Sequence, residues 1–225
     1  MNGKLTEIVF IIDRSGSMHG LESDTIGGFN SMLAKQKATD CPAFVSTVLF
    51  SDNSSVIHDR QDLYSVKDMT DEDYETGGCT ALLDAVGGAV KHIANVHKYA
   101  RKEDVPGKTL FVIITDGMEN SSRNYSREKV LRMIEEKKKS GWEFIFLGAN
   151  LDAAEAAESI GISRSRAVNY TADSEGTKRS YDAMAEACCA VMSASSACEA
   201  ALCLEASEWH ADVDEYYEET VRQNS

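Results

Sequence analysis

Two rhythms of apolar residues alternate along this chain. Short, nearly unbroken apolar runs read as buried strands, and stretches whose apolar positions return every three or four residues read as amphipathic helices. The runs predict strands over Glu7–Ile12, Ala43–Phe50, Thr109–Ile114 and Trp142–Leu147. Val56–His58 reads as a short antiparallel return after the turn cluster Asp52-Asn53-Ser54, and Ala167–Tyr170 as a last edge strand. The helical rhythm predicts Thr25–Ala38, with Ile26, Phe29, Met32 and Leu33 on one face and Asp24 as N-cap. It continues over Ala81–Ala100, over Ser126–Ser140 with Gly141 as the stop, and over Ala153–Ile160. Leu63–Glu75 and Arg101–Lys108 read as charged loops. Gly27-Gly28 and Gly87-Gly88 fall inside predicted helices, where they suit close packing.

Strands that alternate with helices imply a mainly parallel sheet covered on both faces. The expected architecture is a three-layer α/β/α sandwich with one antiparallel edge strand. From Glu175 onward the chain reads helical, in two stripes. Tyr181, Met184, Cys188, Val191 and Met192 form the first, which closes the domain. Trp209, Val213, Tyr216 and Val221 form the second. It is surplus to one core, so it either folds back or offers a docking surface. The expected division is a domain over 1–196 and an acidic helical C-terminal extension over 197–225.

Composition narrows the function classes. A chain of 225 residues with 43% apolar content and two prolines is a folded globular protein. Its net charge of −14 argues against nucleic acid or an anionic membrane as the main partner. Residues 173–225 hold twelve acids against three bases, which reads as a solvated helix face. No run reaches the roughly 20 apolar residues of a membrane helix, and no cleavable signal pattern opens the chain. The expected location is cytoplasmic. The six cysteines show no disulfide-framework spacing and read as structural thiols. On one helix Cys188 and Cys198 would stand about 15 Å apart, too far for a shared metal.

The chemistry begins where the first strand stops, at Asp13-Arg14-Ser15-Gly16-Ser17. One carboxylate and two hydroxyls at alternate positions of a tight loop make a cup of hard oxygens, suited to a hard divalent cation. Open α/β sheets place ligand sites at such strand ends. Two further loops, Gly77-Gly78-Cys79-Thr80 and Ile114-Thr115-Asp116-Gly117, offer Thr80 and Asp116 at the same edge. Asp13, Ser15, Ser17, Thr80 and Asp116 are therefore the candidate metal residues.

Together these loops resemble the metal-ion-dependent adhesion site (MIDAS) of the von Willebrand factor A (vWA) domain family. That family's signature is Asp-x-Ser-x-Ser after the first strand, a middle-loop Thr and a later Asp. The resemblance covers about residues 5–195. With Phe146-Leu147-Gly148-Ala149-Asn150-Leu151-Asp152, it is nearest to stand-alone bacterial or phage cytoplasmic members. It implies a Rossmann-like fold and an ion held mainly by neutral hydroxyls. Mg²⁺ is the expected ion, with Mn²⁺ and Ca²⁺ as alternatives. Such an ion keeps a position for an Asp or Glu of a partner protein, which makes the module an adaptor. Related bacterial proteins work beside MoxR-type AAA ATPases, so the resemblance extends the partner expectation to such a system. Arg14, His19 and Cys79 are non-ligand neighbours expected at the partner-binding rim.

Two rival readings stand beside the adaptor. A metal-dependent hydrolase or phosphatase would use the same strand end, but a haloacid dehalogenase-type site needs a second Asp where this chain has Ser15. No Gly-x-Ser-x-Gly elbow or phosphate loop is present. The other rival is a structural module whose ion only stiffens the loops. His92 and His97, five residues apart, read as exposed rather than as zinc ligands.

Overall fold

The sheet runs in the order β3-β2-β1-β4-β5-β6. In the computed structural model, which describes residues 1–223, the strands are β1 (Asn2–Asp13), β2 (Ala43–Phe50), β3 (Ser54–Asp62), β4 (Pro106–Thr115), β5 (Trp142–Gly148) and β6 (Ala167–Asn169). All neighbours are parallel except β2 and β3. Seven α-helices accompany them among the described residues: α1 (Glu22–Lys37), α2 (Leu82–Tyr99), α3 (Arg127–Lys138), α4 (Ala153–Ser159), α5 (Ser174–Ser193), α6 (Ala197–Ala206) and α7 (Ala211–Gln223). The expected three-layer sandwich with one antiparallel edge is the observed fold.

Strand alternation sorts the core into two halves. Ile8, Phe10 and Ile12 of β1 and Leu110, Val112 and Ile114 of β4 face a layer that includes Phe29 of α1 and Met184 of α5. Val9, Ile11, Phe111 and Ile113 face the other layer, with Val86 of α2, Val130 of α3 and Ala157 of α4. Two helical glycines permit close packing. A Cβ at Gly28 would lie 2.5 Å from the Tyr181 ring, and one at Gly87 would lie 2.4 Å from the Tyr125 ring. Gly27 and Gly88 face nothing within 4 Å, so close packing does not account for them.

The C-terminal helices fold back onto the α1/α5 layer. Leu204, Trp209 and Val213 are buried in the same cluster as β1 and β4. Polar ties accompany them. Arg166 donates to the Ala201 carbonyl at 2.9 Å, and the Tyr216 hydroxyl donates to Asp173 at 3.1 Å.

Several local expectations are corrected. Helix α1 begins at Glu22, so Asp24 lies in its first turn instead of capping it, and accepts from Ser174 Oγ at 2.9 Å. The antiparallel return is nine residues long, with Arg60 at φ +46° beside a register shift against β2. There Arg60 Nε reaches both oxygens of the fully buried Glu7, at 3.1 and 2.9 Å. His97 is not exposed: its Nε2 lies 3.0 Å from the same Glu7 carboxylate. His92 is exposed and pairs with Asp59 at 2.8 Å. Strand β4 starts at Pro106, ahead of the expected Thr109, and includes Lys108, which is 2% exposed. Its ammonium donates to the carbonyls of Met192 and Ala194, at 2.7 and 2.6 Å. A cation at the end of α5 complements the helix dipole there.

Candidate metal centre

The chain crosses from β2 on one side of β1 to β4 on the other, so the loops after β1 and β4 part company between them. Such a switch point opens a crevice at the strands' carboxyl ends. Asp13 is the last residue of β1, and Ile12 stands in register with Ile114. Thr115 Oγ1 therefore donates across to Asp13 Oδ2 at 2.5 Å, while Ser15 N donates to Asp13 Oδ1 at 2.7 Å. The Ser15 and Ser17 hydroxyl oxygens lie 3.0 Å apart, and Ser17 Oγ donates to Asp116 Oδ1 at 2.5 Å. Gly117 brings in the last member. A Cβ there would stand 2.9 Å from Thr80 Oγ1, 3.3 Å from Ser17 Oγ and 3.9 Å from Asp13 Oδ2. The five sequence-predicted residues thus lie together: Thr80, Ser17 and Asp13 stand around Gly117, and Ser15 and Asp116 join them through the Ser17 hydroxyl.

The Thr80 loop is held by its backbone. Gly77 N donates to Arg14 O at 2.9 Å and Gly16 N to Gly78 O at 3.0 Å. Gly78 has φ +79°, which glycine adopts without strain, and a Cβ there would displace the Asp52 carboxylate, 2.1 Å away. Thr80 N donates to Asn120 Oδ1 at 2.9 Å, and Asn120 N donates back to Thr80 O at 3.1 Å. Helix α2 has no cap from its own N-cap residue, Ala81. Instead Glu119 accepts from Leu83 N at 2.9 Å, and Ser122 Oγ accepts from Asp84 N at 3.0 Å. Asp84 in turn accepts from the backbone N–H groups of Arg123, Asn124 and Tyr125. Burial opposes the Asp84 charge, but those donors hold its carboxyl below the usual range.

Both candidate carboxylates are buried. Desolvation pushes the Asp13 carboxyl up against the pull of Thr115 and Ser15, and pushes Asp116 up against Ser17. Asp116 Oδ2 is buried with no hydrogen-bond partner. A bare buried carboxylate oxygen beside three clustered hydroxyls fits a divalent cation, whose charge offsets the desolvation. No group of three His, Cys, Asp or Glu side chains poised for a metal occurs among the described residues. The donor set is instead dominated by neutral hydroxyls, which suits a hard ion over zinc-type thiolate or imidazole coordination.

The three rim candidates are sequence neighbours of the clustered residues. Arg14 is half-buried, and its Nε has no hydrogen-bond partner. His19 is 84% exposed and pairs with Glu22 at 3.0 Å. The Cys79 thiol is exposed. Several positioning residues escaped the sequence reading. Thr115 was signalled only as a polar residue closing an apolar run. Tyr74, whose hydroxyl donates to Asp13 O at 2.5 Å, and the Glu119–Asn120 pair carried no signal, because their partners lie 36 to 61 residues away.

A family model described as von Willebrand factor type A domain matches residues 7–182. No curated protein matches the chain. Among solved structures, the chain is similar to proximal thread matrix protein 1 from the mussel byssus with a zinc-occupied MIDAS motif. The TM-score is 0.56 at 15% identity, over 84% of this chain and 47% of that one. It is also similar to the pilus adhesin SpaC from Lactobacillus rhamnosus GG in its open conformation, with TM-score 0.57 and 14% identity over 83% of this chain and 30% of that one. A von Willebrand factor type A protein from Catenulispora acidiphila gives 0.52 and 15%, over 80% of this chain and 42% of that one. The chain spans less than half the length of each of these, and at such identities the likeness shows the fold alone.

Proposed function

This chain belongs to the von Willebrand factor type A domain family, and from that premise we propose that it is a metal-dependent protein-interaction module. In this reading Ser15, Ser17, Thr80, Asp13 and Asp116 hold a divalent cation, Mg²⁺ first. The partner is a protein that supplies an Asp or Glu side chain; a MoxR-type AAA ATPase system is the partner class suggested by the family resemblance. The observation that supports it is the clustering of three hydroxyls and two buried carboxylates beside Gly117, with Asp116 Oδ2 unpaired. When bound, the ion supplies an electrophilic centre that attracts an outside carboxylate. The chain's own residues do the rest. Asp116 orients the Ser17 hydroxyl, Thr115 and Ser15 N fix the Asp13 carboxylate, and Asn120 sets the Thr80 backbone. Arg14, His19 and Cys79 contribute to partner choice at the rim.

The reading assigns no catalytic step. The position two residues past Asp13 is Ser15, which offers no carboxyl for acid–base work. A cytoplasmic setting is part of the proposal, on the strength of the cysteine pattern. No helix among the described residues is long and apolar enough to cross a membrane.

The test has two arms. Mg²⁺ or Mn²⁺ at about 100 times its dissociation constant is expected to stabilise the fold by about 2.7 kcal/mol by linkage. That is a melting temperature higher by about 5–10 °C at this chain length. Thr80→Ala is expected to abolish the rise. In lysate, a partner should be captured by wild type with Mg²⁺, and lost both with chelator and with Thr80→Ala. Capture equal in all three conditions would move the function away from the ion.

A further inference from the structure

Beside the candidate metal centre, between α2, α4 and the loop after β4, lies a cavity of about 200 Å³ that the proposed function does not use. Leu83 at the start of α2, Phe146 of β5, and Leu151 and Ile160 at either end of α4 give it apolar walls. The loop after β4 closes the remaining side through Gly117 and Met118. Gly117 is therefore common to the cavity and to the oxygen cluster, since a Cβ on it would stand 2.9 Å from Thr80 Oγ1. Thr80 itself lies only three residues before Leu83.

The walls are tied to one another. Glu119 accepts from Leu83 N at 2.9 Å, which locks the loop after β4 to the start of α2. Asp152 accepts from Glu155 N at 2.9 Å and so caps α4. Leu83, Phe146 and Ile160 are buried, whereas Met118 at the mouth is 71% exposed. Preformed concavities with apolar walls and a few polar groups are the usual form of binding sites, and an unbranched Met adapts its shape to an incoming apolar group. A cavity of about 150 Å³ lined by aliphatic and aromatic side chains holds one benzene, so this one has room for one large apolar side chain.

Charge distinguishes the two neighbouring sites. The cavity rim carries Arg127, Asp152 and Glu155, all exposed, two acids against one base. On a chain of net charge −14 such a rim disfavours a carboxylate, whereas a cation at the oxygen cluster attracts one. Like-charge repulsion at one site and attraction at the next fix the register of a bound segment.

We propose that this cavity is a second subsite of the metal-dependent interface. It takes a Leu, Ile, Met or Phe side chain that adjoins, in a partner protein, the Asp or Glu that reaches the ion. The proposal rests on the metal reading above and adds to it the chemistry of the partner segment, an acid flanked by one large apolar residue. Each methylene lost from a side chain seated in an apolar pocket typically weakens selection about tenfold or more.

The test pans the full chain, with Mn²⁺, against bead-bound peptides Gly-x-Asp-x-Gly and Gly-x-Glu-x-Gly, where x is each amino acid in turn. Mn²⁺ titration calorimetry accompanies it. Wild type is expected to select Leu, Ile, Met or Phe at one x, and an Ala there should weaken binding about tenfold or more. Two variants alter the cavity: Ala156→Leu fills it from α4, and Met118→Ser removes an exposed wall that the fold does not need. Both should lose the apolar preference and still bind Mn²⁺ as wild type does. Selection of the acid with no preference at x would overturn the proposal, as would an unchanged preference in both variants or Mn²⁺ binding without capture of any peptide. A dimer of wild type that Ala156→Leu dissociates would make a second copy the occupant, and would overturn it too. A wild type that binds no Mn²⁺, or that selects the same peptides with chelator present, would overturn the metal reading itself, a distinct result.

Discussion

Gly117 shows how much one side chain decides at this site. Its missing Cβ is what leaves Thr80 Oγ1 and Ser17 Oγ room to face the same point. Gly117→Ala is expected to preserve the fold, because the hydroxyls it meets are able to rotate away. It should nonetheless abolish the stabilisation by Mg²⁺ or Mn²⁺, which thermal melting with and without ion will read. Retained stabilisation would mean that the ion does not use this space. The five candidate residues that the structure brings together were legible in the chain because each sits at a strand end, or in a short segment directly after a strand or before a helix, where local pattern identifies it. Thr115, Tyr74, Glu119 and Asn120 were not. Each acts through a hydrogen bond to a residue 36 or more positions away, and one-dimensional spacing holds no trace of that pairing.

Among the elements, α2 depends on the loop after β4 for its start. Glu119 and Ser122 occupy the helix end that Ala81 leaves uncapped, and a carboxylate there also meets the positive end of the dipole. Glu119→Ala is expected to cost about 1–2 kcal/mol, by analogy with lost N-caps, and to lower the melting temperature by several degrees. An unchanged melting temperature would dismiss this cap. Helix α7 carries a pH dependence. His210 is pushed up by its hydrogen bond to Asp214 at 2.6 Å, against burial. A raised histidine stabilises fully below its unfolded value of about 6.5, and the gain disappears as pH rises through the folded value. Hydrogen exchange of residues 211–223, corrected for intrinsic rate, is therefore expected to quicken as pH climbs above about 6.5, and His210→Gln should remove that step. Element types were legible from periodicity, whereas ends were not. Helix α1 starts early because Thr25 N bonds back to Leu21 O, and β3 runs long because Arg60 finds the buried Glu7. The first bond starts from a Leu that offers no capping side chain, and the second reaches 53 residues along the chain.

Over the whole molecule, α6 and α7 are woven into the main core. Trp209, 2% exposed, packs in the same cluster as β1 and β4. A tryptophan buries about 150–250 Å², worth about 4–6 kcal/mol at about 25 cal/mol per Å² before the cost of ordering the helices. A chain ending at Ser195 is therefore expected to melt well below the full chain, which should show one transition. Equal melting temperatures would make the first 195 residues an independent unit. The order of the strands also fixes a sequence in time. Ser17 meets Asp116 across 99 positions, and Asp13 meets Thr115 across 102. During synthesis β1 emerges early and pairs with β2, yet its other edge stays open until β4 has been made. Contacts this distant in the chain form late and slowly. The oxygen cluster cannot exist in a half-made chain, so on the proposed function a nascent chain acquires its ion site, and with it any hold on a partner, only after the centre of the sheet has closed.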